Sequence, residues 1–202
     1  MNTTRFLLIG IAFLLLPAAN VSAQRVDSPQ FGLKLGLNGT NLYDDAMAEN
    51  RDGRIGFTGG GFVVIPLAKK GKLSVRPELL FTLKGSEFEL NGFKSDYRLS
   101  YIELPVSLEY RLLGFINLHG GMWAGVLANA NGETNDIVGT IKYATEDFQR
   151  LDYGYHFGGG LDIGNIGLHL RISRGLENIN DAKAYFGSLK NSAWTLSFST
   201  AF

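Results

Sequence analysis

The stretch SYIELPVSLEYRL, residues 100–112, is apolar at Ile102, Leu104, Val106, Leu108 and Tyr110, and polar or charged at Glu103, Ser107, Glu109 and Arg111. Successive side chains of a strand point to opposite sides of a sheet, so this period of two predicts an extended strand with two chemically different faces. Alternation alone does not say which face meets water. A soluble sandwich or lipocalin-like barrel puts its apolar face inside. A barrel spanning a membrane puts it outside, with the carboxylates within.

About eight such segments follow one another between turn signals. FGLKLGLNGTNL sets Phe31, Leu33, Leu35 and Leu37 against Gly32, Lys34, Gly36 and Asn38. GFTGGGFVVIPL has no clear register, since glycines occupy both faces. LSVRPELLFTLK opposes Leu73, Val75, Leu79, Phe81 and Leu83 to Arg76, Glu78, Thr82 and Lys84, and FINLHGGMWAGVLA groups Asn117, His119, Gly121, Trp123 and Gly125. YGYHFGGGLDI and IGLHLRISR flank Gly164-Asn165, a pair suited to a two-residue hairpin turn with positive φ. AWTLSFSTAF closes the series, with Trp194, Leu196, Phe198 and Phe202 on one side.

Two regularities choose between the architectures. The polar face is also the small face, carrying Gly32, Gly36, Gly121, Gly125, Gly154, Gly158, Gly160, Ser197 and Ala201. Water does not require small side chains, whereas the lumen of an eight-stranded barrel is only wide enough for side chains to fill it. Pairing Ile163 with Ile166 across the turn puts Gly160 opposite His169, Gly158 opposite Arg171 and His156 opposite Ser173. The connections also alternate between short and long, the long ones over residues 43–55, 85–97, 129–150 and 176–191. Short periplasmic turns and long external loops have this pattern. The fold predicted is all-β: an eight-stranded antiparallel up-and-down transmembrane β-barrel of outer-membrane type.

The N-terminus agrees. Arg5, the apolar run FLLIGIAFLLLP and the small-residue site ending at Val21 and Ala23 read as a secretory signal. The run is shorter than the ~20 residues a spanning helix needs. A signal peptide over 1–23 and a barrel domain over 24–202 are therefore expected, the mature chain starting at Gln24. There is no cysteine, so an exported domain here does without disulfides. Formal net charge is zero, with 19 acidic and 19 basic side chains, which leaves no basic field to recruit nucleic acid.

GFTGGGFVVIPL, LSVRPELLFTLKGSE and YIELPVSLEYRL, followed by a glycine-aromatic strand and a closing strand ending in Phe, resemble the PorT-like outer-membrane β-barrel family. The resemblance covers essentially all of the mature chain. It implies an eight-stranded barrel in a bacterial outer membrane and says little about activity.

Arg76, Glu78, Glu103, Glu109, Arg111, Asp162 and Arg171 all point inward on this reading, as do His119, His156 and His169. Desolvating an ion costs several kcal/mol unless it is paired, so the charges are read as a network filling the lumen rather than a substrate path. The histidines lack the short spacings of a zinc site. A hydrolase built on His156 and Ser173 would also need an orienting acid and an oxyanion hole. NANGETND lacks the calcium-loop spacing, and Asn38-Gly-Thr is a chance glycosylation match. No catalytic residue, cofactor or metal is expected. The expected surroundings are outer-membrane lipid, envelope or secretion-complex proteins, and no nucleic acid; the barrel is expected to be a monomer. The leading role is a non-enzymatic barrel whose external loops bind or adhere, with Tyr185 and Phe186 as candidate contacts. An accessory subunit of an envelope or protein-secretion assembly and an outer-membrane lipid-modifying enzyme are the alternatives.

Overall fold

The computed structural model describes residues 28–44, 52–68, 71–90, 93–136, 139–144, 150–177 and 189–202. The expected signal peptide and the Tyr185 and Phe186 contacts lie outside them. The described residues form β1 (Gln30–Asp44), β2 (Asp52–Pro66), β3 (Leu73–Leu90), β4 (Phe93–Leu112), β5 (Ile116–Asp136), β6 (Gly139–Ala144), β7 (Leu151–Ile163), β8 (Ile166–Gly175) and β9 (Leu189–Ala201). All pairings are antiparallel. β4, β3, β2, β1, β9, β8, β7 and β5 neighbour one another in that order, and β4 pairs with β5 to close an eight-stranded barrel. β6 pairs with the far end of β5, beyond β7.

The faces are those the alternation predicts. On β8, Leu168 is 49% exposed and its neighbour His169 1%, which places the apolar set outside. On β4 the apolar outward run from Ile102 to Leu112 spans about 25 Å once strand tilt is allowed for, the height of a bilayer's hydrocarbon band. Above it the outward positions turn polar at Ser100 and Arg98, and β8 turns at Arg174. β2, left without a register by its sequence, turns Thr58, Phe62 and Val64 inward and Phe57 and Ile65 outward.

The Ile163–Ile166 pairing is present, with Gly160 opposite His169, Gly158 opposite Arg171 and His156 opposite Ser173. Gly121 sits between Ser107 on β4 and His156 on β7, and a Cβ there would run into the Val106 carbonyl. Glycine is the side chain that lets this wall close up.

The connections differ from expectation. Residues 85–97 and much of 129–150, read as loops, are largely strand: β3 pairs with β4 up to Leu90 and Phe93, and β5 pairs with β6 up to Asp136 and Gly139. Alternation does continue there, with Phe88 and Leu90 set against Glu87 and Glu89, and Phe93 and Tyr97 against Lys94, Asp96 and Arg98, but the glycines and asparagines around it read as loop. A further signal was available: the residues between the paired Leu90 and Phe93 are Asn91-Gly92, a dipeptide favoured in two-residue hairpins. NANGETND, read as a loop, belongs to β5. The barrel wall is consequently uneven, with β5 running ten residues, or about 30 Å of extended chain, beyond its last partner on β7, Val126 with Leu151.

Candidate functional site: the charged lumen

Each inward-facing charge is held by a strand whose alternate residues face lipid, so its position follows from the register. Glu78 on β3 is the hub. Lys34 Nζ donates to its Oε1 at 2.7 Å, and Arg171 grips both oxygens, Nη2 to Oε1 at 2.8 Å and Nη1 to Oε2 at 2.9 Å. Arg76 Nε lies 3.3 Å from the same Oε1. A planar guanidinium matches a carboxylate at two points, which fixes both groups across the lumen. Arg76 also reaches Glu109 at 3.3 Å and rests on the Phe62 ring, 3.8 Å from its centroid.

Arg111 then links Glu109 to Asp162, at 3.7 and 3.8 Å, nearer the short turns. Asp162 accepts from Asn117 at 2.7 Å and lies 3.2 Å from His169 Nε2. Asn117 Nδ2 points at His169 Nδ1 and its Oδ1 accepts from His119 Nδ1, an arrangement that puts the His169 proton on Nε2, toward Asp162 and Ser199. On the other side of the hub Lys84 pairs with Glu103, which also accepts from Thr82 at 3.0 Å. The Lys84 ammonium lies over the Trp123 and Tyr101 rings, 4.0 and 5.1 Å from their centroids. Higher still, Asn191 donates to Asp152 at 2.6 Å, and Leu99, Tyr101, Leu127 and Ala130 form an apolar cluster.

All the charged residues singled out in the sequence thus face inward; Arg76, Glu78, Glu109, Arg111, Asp162 and Arg171 form one chain of contacts, and Glu103 pairs apart from it with Lys84. Lys34 and Lys84 were placed on the polar face without a partner, and Asp152 was not singled out. Their partners lie on strands distant in sequence, so only the closed register brings them together. His156 and Ser173 do stand opposite, but His156 Nε2 bonds the Ser107 hydroxyl at 2.7 Å, across Gly121, and Ser173 donates to the Ala193 carbonyl at 3.4 Å. His156 Nδ1 has no partner, so no acid orients this pair as a hydrolase would require. The imidazoles stand apart, His119 being 6.4 Å from His156 and 6.0 Å from His169 between ring centroids. Among the described residues no group of histidines and acids could hold a metal.

The space left is small. One cavity of about 30 Å³ lies between the Glu78 hub and the Lys84–Glu103 pair, and another of about 20 Å³ lies by Arg111 and Asp162. Between them the Glu78 carboxylate on β3 is bonded across the lumen from β1 and β8.

An apolar outer band, a charged, glycine-matched interior and eight closed antiparallel strands define an outer-membrane β-barrel. A family model described as outer membrane protein beta-barrel domain matches residues 22–181, and the chain belongs to that family. The protein is a component of the bacterial outer membrane. Among solved structures it is similar to Ail, the attachment invasion locus protein of Yersinia pestis, in complex with the heparin analogue sucrose octasulfate. That likeness has 14% identity and a TM-score of 0.53, covering 87% of this chain and 99% of Ail. It is also similar to Neisserial surface protein A, with 9% identity and a TM-score of 0.51, covering 85% of this chain and 97% of that one. No curated protein matches the chain in sequence.

Proposed function

We propose that this is a non-enzymatic outer-membrane barrel of the PorT-like kind, with a side-chain-filled lumen and a structural or adhesive role carried by its external part. The observation that carries the reading is the Glu78 hub: a carboxylate gripped by Lys34, Arg76 and Arg171 from β1, β3 and β8 ties opposite walls together across the lumen. A buried ion that moved a proton or a substrate would need to change partners during turnover. One held by three cations has no inexpensive alternative.

If the lumen is structural, contact with anything outside the cell falls to the strands that outrun the bilayer. β3 to β6 supply them, and the uneven rim gives a wall of backbone on one side of the barrel. Cells producing the full chain are compared with cells producing a barrel in which residues 86–97 are replaced by a two-residue turn. Both barrels fold and reach the outer membrane, and only the full chain supports attachment of cells to one another or to a coated surface. Equal attachment by the two would overturn the assignment of binding to the wall.

A further inference from the structure

The cavity above the Glu78 hub presents a pattern that packing does not explain. Three residues that line it carry an N–H group without an acceptor, Trp123 at Nε1, Arg171 at Nε and His156 at Nδ1, while of the lining acceptors Asn38 Oδ1 is free and Glu103 Oε1 has only its ion pair with Lys84. Their exposures are 5%, 9% and 2%, so solvent at the barrel mouths does not serve them. A buried donor left unbonded costs about 1–3 kcal/mol, and three around one small space call for an acceptor inside it. His156 fits this role in one tautomer: with the Ser107 hydroxyl donating to Nε2, the imidazole proton is on Nδ1.

Charge decides between acceptors. From the cavity toward the short turns the lumen holds Lys34, Arg76, Arg111 and Arg171 against Glu78, Glu109 and Asp162, one cation in excess. Lys34 and Arg171 both line the cavity. On its far side Lys84 and Glu103 cancel. Asp152 lies beyond that pair, bonded to Asn191, and does not line the space. Water would accept from the N–H groups but leave the excess charge uncompensated in a medium where it is poorly screened. We infer that the cavity is a binding site for one small monovalent anion of halide size, held by Trp123, His156, Arg171 and Lys34. The cavity has place for such an ion with water beside it, which the free Asn38 Oδ1 would bond, and the single excess cation calls for a single negative charge. This inference goes beyond the proposed role and does not depend on it.

Trp123 reports on its own site. The chain has two tryptophans, and Trp194 faces lipid, so Trp194→Phe leaves Trp123 as the single emitter. That barrel, refolded in detergent in a halide-free isethionate buffer, is titrated with bromide, a heavy-atom quencher. The expected result is a saturable fall in Trp123 emission that chloride reverses and sulfate does not. In Lys34→Met the curve moves to about tenfold higher bromide, the loss of one charge-assisted contact. Should that variant fail to refold, crystals of the unmodified protein grown in bromide give the second measurement, a single anomalous peak between Trp123 and Arg171. Quenching that is absent, or that grows linearly without reversal by chloride, would overturn the site, as would an anomalous map showing only water in the cavity.

Discussion

Glu78 accepts from Lys34 and Arg171 and is ion-paired with Arg76 while 1% exposed, and this makes it the residue whose loss the barrel should feel most. Removing one partner of a buried ion pair strands the others, at a cost of about 3–5 kcal/mol. Glu78→Gln is therefore expected to lower the unfolding free energy by about 3 kcal/mol in urea titrations of the protein in lipid vesicles. An unchanged midpoint would mean that the hub is solvated and not a tie. The glycines give a paired expectation. A Cβ at Gly158 would meet the Leu170 carbonyl and lie 2.7 Å from His119 Nε2, whereas at Gly61, which faces outward, the nearest atom is 3.7 Å away. Gly158→Val should fail to refold and Gly61→Val should refold as the unmodified chain does, read as the heat-modifiable gel shift of a folded barrel. At this scale the sequence shows which way each charge points, because alternation sets direction. It does not show that Ser107 meets His156 or that Lys34 meets Glu78, since those contacts require knowing which strand stands beside which.

The turn between β4 and β5 shows a local conflict. Leu113 has φ +49° and Gly114 φ +81°, and Leu113 is 81% exposed. A left-handed conformation costs an L-residue with a bulky side chain roughly 1–2 kcal/mol, and an exposed leucine gains no burial to offset it. Leu113→Asn should therefore stabilise the barrel by about 1 kcal/mol in the same urea titration; destabilisation would show that Leu113 is packed against something in the membrane or periplasm. Gly164, at φ +60° in the β7–β8 turn, obeys the rule that Leu113 breaks. The membrane-spanning parts of the strands were legible because water lies on neither face and the lumen accepts only small or paired groups. The extensions of β3, β4 and β5 and the whole of β6 were not read as strand, because the glycines and asparagines among them look like loop, although residues 87–90 and 93–100 keep a period of two and Asn91-Gly92 marks the hairpin between them.

The molecule as a whole is a cylinder turned inside out relative to a soluble domain, with exposed leucine and phenylalanine outside and a balanced set of charges within. We expect residues 1–23 to act as an export signal and to be cleaved after Ala23. The intact mass of protein extracted from outer membranes should correspond to a chain starting at Gln24, and a mass that includes residues 1–23 would contradict the assigned leader. The central claim is that the lumen is closed by its own side chains and that function lies outside it. Planar-bilayer recording of the refolded, unmodified protein tests this most directly. The network around Glu78 and the cavities of about 30 and 20 Å³ predict a quiet membrane with no stable conducting steps. Large, long-lived, ion-passing steps from that same preparation would contradict the account and make the barrel a pore.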